Sequence, residues 1–230
     1  MLQGNSLFHQ RFEENTLGND YVVGDIHGHY DLLLAQLERL KFNHKIDRLF
    51  ALGDLINRGP RSLDCLNLLL KPWFFSVIGN HEAYFKQCVN QGFDKQLFYK
   101  MGGQWIDDVT YPDGLTKLAA LVHYRMPLAI EISIQGYNIG LIHAQSPDDW
   151  EDIHNKNFLD DCESDCLWSL DKFNRSQDET KSVKNIDMVV HGHANCDQIV
   201  VKANQAWIDT VRVTDKLTIL SLSELLNWRA

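Results

Sequence analysis

Three apolar segments in the first half of the chain each end in a short polar turn that contains glycine. These segments are YVVGDIHG at 21–28, RLFALGDLINRG at 48–59 and FFSVIGNHE at 74–82. Runs of β-branched and aromatic residues bounded in this way are typical of buried strands. The pattern therefore predicts three strands that carry polar side chains at their C-terminal ends.

Leucines at helical spacing separate these predicted strands. Leu33, Leu37 and Leu40 recur at helical intervals beside charged positions, which predicts an amphipathic helix. Pro60 can begin a second helix, which should end before Pro72. The order strand, helix, strand, helix, strand predicts a parallel sheet whose strand ends meet at one crevice.

The pattern changes in the second half of the chain. Residues 83–124 favour helices with a break at the MGGQW loop, 101–105, and strand-like runs follow from residue 128: LAIEISI, NIGLIHA, MVVHGHA, QIVVKA, QAWIDTV and KLTILSL. An α/β first half and a β-rich second half predict two sheets packed together between helices. The polar, acidic stretch 148–184 is the predicted mobile surface excursion. We expect residues 1–230 to form one domain.

Composition and charge narrow the classes of function. The 230 residues are 44% hydrophobic and 23% charged, as in globular proteins, and 22 basic against 31 acidic residues give a net charge of −9. This charge repels phosphate backbones, so we expect no nucleic-acid partner. The apolar tract at 63–78 is too short and too polar to span a bilayer, so we expect no membrane partner.

The cysteines and the first residues indicate the compartment. Five scattered cysteines are typical of reduced thiols rather than of a disulfide framework. The first fifteen residues contain no basic segment followed by an apolar stretch, which predicts no secretory signal. We therefore expect a cytoplasmic protein, and we expect it to be a monomer.

Side chains of metal-binding types gather at the predicted strand ends. They are Asp25, His27, Asp54, Asn57, Arg58, Asn80, His81, Glu82, His143, His191 and His193. Carboxylate, amide and imidazole donors together suit Mn²⁺, Fe or Zn²⁺, whereas an oxygen-only set would favour Mg²⁺ or Ca²⁺. Neighbouring glycines permit tight turns that let such ligands converge. The sequence predicts a metal centre in the crevice.

The motifs GDIHG, GDLINRG, GNHE, LIHA and HGHA resemble, in order and spacing, those of the calcineurin-like metallophosphoesterases. The resemblance is to the phosphoprotein phosphatase branch, which includes small bacterial and phage serine/threonine phosphatases. Similar stretches at MGGQW, HAQSPDD, LWS and WIDT extend it over nearly the whole chain. It implies a four-layer α-β-β-α sandwich with two metals about 3.5 Å apart at the C-terminal ends of the strands.

The resemblance also implies the metal ligands. They are Asp25 and His27 on the first metal, Asp54 between both metals, and Asn80, His143 and His193 on the second. His193 is preferred to His191 because the family ligand is the histidine of a Gly-His pair. We expect two divalent ions, Mn²⁺ first, with Fe or Zn²⁺ as alternatives.

The implied reaction is hydrolysis of phosphoserine or phosphothreonine in a protein or peptide, with phosphotyrosine as a further substrate. A hydroxide that bridges the metals would attack phosphorus directly. His81 would protonate the leaving alkoxide as general acid, and Arg58 would offer a planar fork to the phosphate, with Asn80 also at the substrate. Glu82 would fix His81 or a ligand from behind.

Besides Val211, which stands where IDTG is usual and indicates an altered turn more than altered chemistry, two positions depart from the family pattern. The usual GDxxDRG has aspartate where this chain has Asn57, and an amide carries no charge to support the catalytic role of His81. The bacterial phosphatases that this chain resembles usually have LWSR, with the arginine on the substrate phosphate, where this chain has Leu170. Lys172 or Arg175 could substitute for that arginine, or phosphate binding could rest on Arg58 and the metals.

Two alternative functions follow from the same residues. A sister branch of symmetrical dinucleoside tetraphosphate hydrolases shares a stretch similar to GDLINRGPRSLD, although GNHE and MGGQW favour the protein phosphatase. A metal-bound relative with weakened catalysis, which binds phosphorylated ligands, is motivated by Asn57 and Leu170.

Overall fold

A computed structural model describes residues 8–92 and 94–228 of the chain. Its strands are β1 (His9–Phe12), β2 (Asp20–Val23), β3 (Arg48–Ala51), β4 (Phe74–Ser76), β5 (Ala129–Ile134), β6 (Tyr137–Ile142), β7 (Met188–His191), β8 (Val200–Lys202), β9 (Gln205–Trp207) and β10 (Ile219–Ser221). Its α-helices are α1 (Tyr30–Arg39), α2 (Ser62–Asn67), α3 (Asn80–Gln91), α4 (Lys95–Lys100), α5 (Gly114–Arg125), α6 (Lys156–Trp168), α7 (Asp171–Asn174), α8 (Val211–Thr214) and α9 (Leu222–Leu225). Short 3₁₀ helices cover Leu68–Leu70, Gln104–Asp108, Trp150–His154 and Leu226–Trp228.

The described strands form two sheets. The smaller sheet has the order β10-β2-β3-β4, in which β2, β3 and β4 are parallel and β10 is antiparallel. The larger sheet has the order β1-β5-β6-β7-β9-β8. In the smaller sheet Val23 lies opposite Ala51, and Ala51 lies opposite Ser76. The three parallel strands therefore end at one edge, as the βαβ pattern predicts.

Alternate residues of the strands face two different cores. Val22 and Phe50 of the smaller sheet pack with Ile130, Ile139 and Val190 of the larger sheet, so the two sheets lie face to face. This period-two alternation is what a strand buried on both faces produces. The inner core joins the sheets into one sandwich.

Helices cover the outer face of each sheet. Val23 packs with Leu33 and Leu37 of α1, while the larger sheet is covered by the 3₁₀ helix at Trp150–His154 and by α6. The Trp150 ring lies against Gly140, where an added Cβ would come within 2.5 Å of it. The predicted α-β-β-α sandwich is confirmed.

Three local predictions differ from the structure. The helix after Pro60 starts only at Ser62 and continues from Leu68 as a 3₁₀ helix, in which Leu70 is 64% exposed. Strand β1 was not predicted; it pairs with β5 in parallel at the edge of the larger sheet. Within 148–184 the side chains of Trp150 and Ile153 are buried, so this stretch is not a surface excursion throughout. The prediction followed the many acidic residues of this stretch and did not take its apolar positions into account.

Across residues 8–92 and 94–228, no helix has the length and apolar character that crossing a membrane requires.

His9 at the sheet edge makes the stability of the fold depend on pH. Burial lowers the pKa of His9 to about 4, and His154, whose ring centroid lies 4.7 Å away, contributes to the shift. The unfolded chain binds this proton near pH 6.5 but the folded chain only near pH 4, so stability is lost as the pH falls between these values. We expect His9→Gln to reduce the fall in Tm between pH 7.5 and pH 5, measured by calorimetry. The exposed His44→Gln is the control, and an equal effect there would contradict this assignment.

Candidate metal centre and crevice

The turns that follow the three parallel strands carry the first group of predicted ligands. Asp25 and His27 follow β2, Asp54 follows β3, and Asn80 begins α3 after β4. His27 and Asp54 have φ angles of 45° and 48°, so the chain turns sharply at both. Gly79 allows the last two turns to touch, because a Cβ there would lie 2.3 Å from the Asp54 nitrogen.

The larger sheet supplies the remaining histidines. His143 follows β6 and His193 follows β7. Ligand atoms of Asp54, His143 and His193 all lie within 4.8 Å of one another, and the same holds for His27, Asp54 and His81. Asp54 is therefore shared by two groups of donors, and both sheets contribute to the centre.

Backbone carbonyls orient three of the histidine rings. These bonds join His27 Nδ1 to the Ile56 oxygen (3.0 Å), His143 Nδ1 to the Leu52 oxygen (2.6 Å) and His193 Nε2 to the Trp168 oxygen (3.1 Å). Since a carbonyl only accepts, each bonded ring nitrogen carries the proton. The other nitrogen of each ring then presents a lone pair, as in metal-bound histidine.

Those free nitrogens face carboxylates. His27 Nε2 lies 3.5 Å from Asp54 Oδ2 and 3.9 Å from Asp25 Oδ2, and His143 Nε2 lies 3.5 Å from Asp54 Oδ1. Burial lowers the pKa of His27 to about 3 and lowers that of His143 as well, so both rings are neutral near pH 7. Neutral imidazole beside carboxylate is the form that binds a cation.

The amide of Asn80 provides a test of whether a cation fits. Its Oδ1 atom lies 2.9 Å from His143 Nε2, 3.2 Å from His193 Nδ1, and 3.2 and 3.3 Å from the two Asp54 carboxylate oxygens. These are all acceptor-type atoms, so the oxygen can stay there only beside a cation; otherwise the amide turns its NH₂ group toward them. A carboxylate, an amide oxygen and two imidazoles form a donor set that suits a divalent transition metal.

The structure distinguishes the two histidines of the HGHA motif. His193 lies beside Asp54 and His143, whereas His191 is fully buried with its ring stacked on Trp207 at 4.9 Å. Strand β7 ends at His191, and the turn after it carries His193 to the centre.

Asp209 is a buried carboxylate that the motif assignment missed. It is 1% exposed, follows β9, and has an Oδ1 atom with no hydrogen-bond partner among the described residues. Burial and the Asp54 charge raise the pKa of Asp209 to about 6, and its side chain interacts with Asp25. The signal in the sequence that could have identified Asp209 was an acidic residue just after a predicted strand, in the WIDT stretch.

Asn57 joins His81 to an indole. Trp105 Nε1 donates to Asn57 Oδ1 at 2.7 Å, and Asn57 Nδ2 lies 2.7 Å from His81 Nδ1. Because the indole can only donate, it holds the amide oxygen, and the amide NH₂ is left to donate to the imidazole. Donors therefore face both ring nitrogens of His81, the Asn57 amide at Nδ1 and the Arg58 guanidinium at Nε2, and a neutral imidazole can accept from only one of them. Trp105 is a buried partner of this pair.

Glu82 fastens the turn that carries Asp54. Its Oε2 accepts from the backbone nitrogens of Asp54 (2.9 Å) and Gly79 (3.1 Å), and its Oε1 accepts from those of Leu55 (2.8 Å) and Ile56 (3.1 Å). The carboxylate contacts backbone rather than the His81 ring. It thus holds two ligand-bearing turns together.

An open crevice of about 500 Å³ lies above the centre. Its lining includes Arg58, Asn80, His81, Trp168 and Arg212. The Arg58 guanidinium contacts Nε2 of His27 and Nε2 of His81, the latter at 3.0 Å. A positive charge thus already lies against the histidine nitrogens at the floor of this crevice.

Neither basic residue proposed to replace the missing arginine lines this crevice. Lys172 is buried and bonded to Asp148 Oδ1 (2.8 Å) and the Pro147 oxygen (2.9 Å). Lys172 and Arg175 line a separate cavity with Gln145 and other residues. Of the two alternatives, the structure therefore favours phosphate binding without these residues, because neither lies at the crevice.

Fold and donor set together define a metal-dependent hydrolase of phosphate esters. The family model of the calcineurin-like phosphoesterases matches residues 21–199, and the chain belongs to this family. Serine/threonine-protein phosphatase 2 of Escherichia coli (strain K12) is 36% identical over 204 residues, which cover 88% of this chain and 91% of that protein.

Two further comparisons bear on the fold and on the substrate. A symmetrical bis(5'-nucleosyl)-tetraphosphatase of Dechloromonas aromatica is 46% identical over 74 residues, 31% of this chain and 27% of that one. The structure of a serine/threonine phosphatase from Saccharomyces cerevisiae superposes with a TM-score of 0.54 at 19% identity, covering 88% of this chain and 70% of the other. The latter shows a shared fold.

The four hydrogen bonds of Glu82 make it a test of how the centre is held. We expect Glu82→Gln to lower the free energy of unfolding by about 2–4 kcal/mol, because its NH₂ group would face backbone N–H groups that need an acceptor. Urea denaturation measures this change. The exposed Glu38→Gln should change stability by less than about 0.5 kcal/mol, and an equal loss in both variants would contradict the role of Glu82.

Proposed function

We propose that this chain is a metal-dependent phosphatase that hydrolyses phosphoserine and phosphothreonine in proteins, and also phosphotyrosine. The observation that carries the proposal is the position of the buried Asp54 carboxylate between two groups of histidines, beneath a crevice that Arg58 lines. The name of the Escherichia coli relative supports a protein substrate. Free cysteines support a cytoplasmic location, and we propose one domain and a monomer.

The ligand assignment is part of the proposal. Asp25 and His27 would hold one ion with Asp54, while Asn80, His143 and His193 would hold the other with the same Asp54. The mixed oxygen and nitrogen donors support Mn²⁺, with Fe or Zn²⁺ as alternatives. When bound, two such ions supply hydroxide at neutral pH and positive charge beside the phosphoryl oxygens.

The side chains above the centre would bind and protonate the substrate. The planar Arg58 fork can donate two N–H bonds to phosphate oxygens, and Asn80 lines the same crevice. Once Arg58 turns from His81 Nε2 to the phosphate, the Asn57 amide at Nδ1 would keep the ring proton on Nε2, from which His81 would donate it to the leaving alkoxide.

Metal removal tests the proposal directly. We expect chelator-treated protein to lose turnover of an aryl phosphate and of a phosphothreonine peptide, and Mn²⁺ to restore both. Absence of turnover at saturating Mn²⁺, with phosphopeptide still bound, would favour a binding protein over an enzyme.

Diadenosine tetraphosphate tests the second candidate function, a dinucleoside tetraphosphate hydrolase, which the 74 matched residues of the tetraphosphatase support. Faster turnover of diadenosine tetraphosphate than of the phosphothreonine peptide would identify the dinucleotide, rather than a protein, as the substrate.

In this proposal Asn57 makes His81 a weaker general acid, because it does not support the charged form of the His81 ring. Its NH₂ group donates to His81 Nδ1, so a doubly protonated ring would set two donors against each other. A carboxylate would accept from both Trp105 and His81, and so would support the charged ring. We expect Asn57→Asp to raise kcat by roughly tenfold to a hundredfold in steady-state assays. Asn67→Asp, exposed and remote, is the matched control, and an unchanged or lower kcat in Asn57→Asp would contradict this role.

A further inference from the structure

Arg212 lies at the same crevice as Arg58 but belongs to a different part of the chain. It occupies the second position of α8, directly after the buried Val211, and its side chain is exposed. The turn is held in place because Thr210 Oγ1 donates to the Lys216 oxygen at 2.8 Å. Arg212 therefore lines the crevice from the end that follows β9, whereas Arg58 enters from the turn after β3.

The Arg212 guanidinium makes no hydrogen bond or ion pair with the side chains and backbone that the structure describes within residues 8–92 and 94–228. Two other arginines are paired: Arg48 binds Asp20 at 2.6 Å and Arg61 binds Asp64 at 2.7 Å. All the donors of Arg212 are thus available to a ligand.

The charges of the two crevice arginines act on one another. Both guanidiniums line the same crevice of about 500 Å³. Two cations that share a crevice repel each other, and an anion between them removes this cost. Phosphate monoesters are dianions near neutral pH, and arginine forks match their oxygens.

Lys100 is a further basic side chain at this crevice, and none comes from the segment where the resemblance implies an arginine. Position 170 is leucine, Lys172 is paired with Asp148, and Arg175 lines another cavity. We propose that Arg212 is a second substrate-binding arginine, which holds phosphate oxygens across the crevice from Arg58. The proposal rests on the proposed phosphatase function and extends it to a residue outside the recognised motifs.

Arg212→Gln tests this assignment, with Arg175→Gln as the matched control. We expect Arg212→Gln to raise KM for an aryl phosphate, and the Ki of inorganic phosphate as competitor, by roughly ten- to a hundredfold with kcat changed far less. Arg212→Lys should retain part of the affinity, and Arg175→Gln should match wild type. Equal KM and Ki in Arg212→Gln and wild type would overturn the proposal.

A binding measurement separates this proposal from the proposed function. Calorimetric titration of inorganic phosphate into Mn²⁺-loaded protein needs no turnover. We expect a higher Kd for phosphate in Arg212→Gln but not in Arg175→Gln. If wild type hydrolyses no phosphomonoester but Arg212→Gln still weakens phosphate binding, the phosphatase function is contradicted and the role of Arg212 is supported. A Kd that Arg212→Gln leaves unchanged overturns that role whether or not the protein is active.

Discussion

The structure depends on one buried charge, the carboxylate of Asp54. It is 2% exposed and lies at the junction of the two sheets, and a carboxylate removed from water is stable only beside donors or positive charge. The backbone nitrogen of His81 donates to its Oδ1 at 3.1 Å, and imidazoles from both sheets surround it. A bound cation would complete this compensation. The fold is therefore arranged around a site whose charge it does not balance by itself.

The sandwich explains why these ligands can meet. Parallel pairing ends β2, β3 and β4 at one edge, and face-to-face packing brings the ends of β6 and β7 beside them. Glu82 then ties the turns after β3 and β4 into one unit through four backbone hydrogen bonds. Short turns directly after the strands thus carry most of the predicted donors.

The two departures from the family pattern have different structural consequences. Asn57 occupies the position of the usual aspartate, but its hydrogen bond with His81 runs in the opposite direction. Because Trp105 donates to the Asn57 amide oxygen, the amide NH₂ group donates to His81, whereas an aspartate would accept from it. Leu170 removes a guanidinium, and the nearby basic residues lie in another cavity. Arg212 enters the crevice from a separate segment, so phosphate binding can depend on a different set of arginines.

The sequence by itself determined the βαβ order, the sandwich and the donors at the strand ends, because each of these is a local pattern of spacing and residue type. It did not determine strand β1, whose pairing with β5 depends on residues far along the chain, nor the burial of Trp150 within an acidic stretch. Likewise the orientation of the Asn57 amide, the unpartnered Asp209 oxygen and the place of Arg212 were decided by tertiary structure. The direction of a hydrogen bond, and which residues line one crevice, depend on neighbours that are distant in sequence. A local sequence pattern does not identify these neighbours.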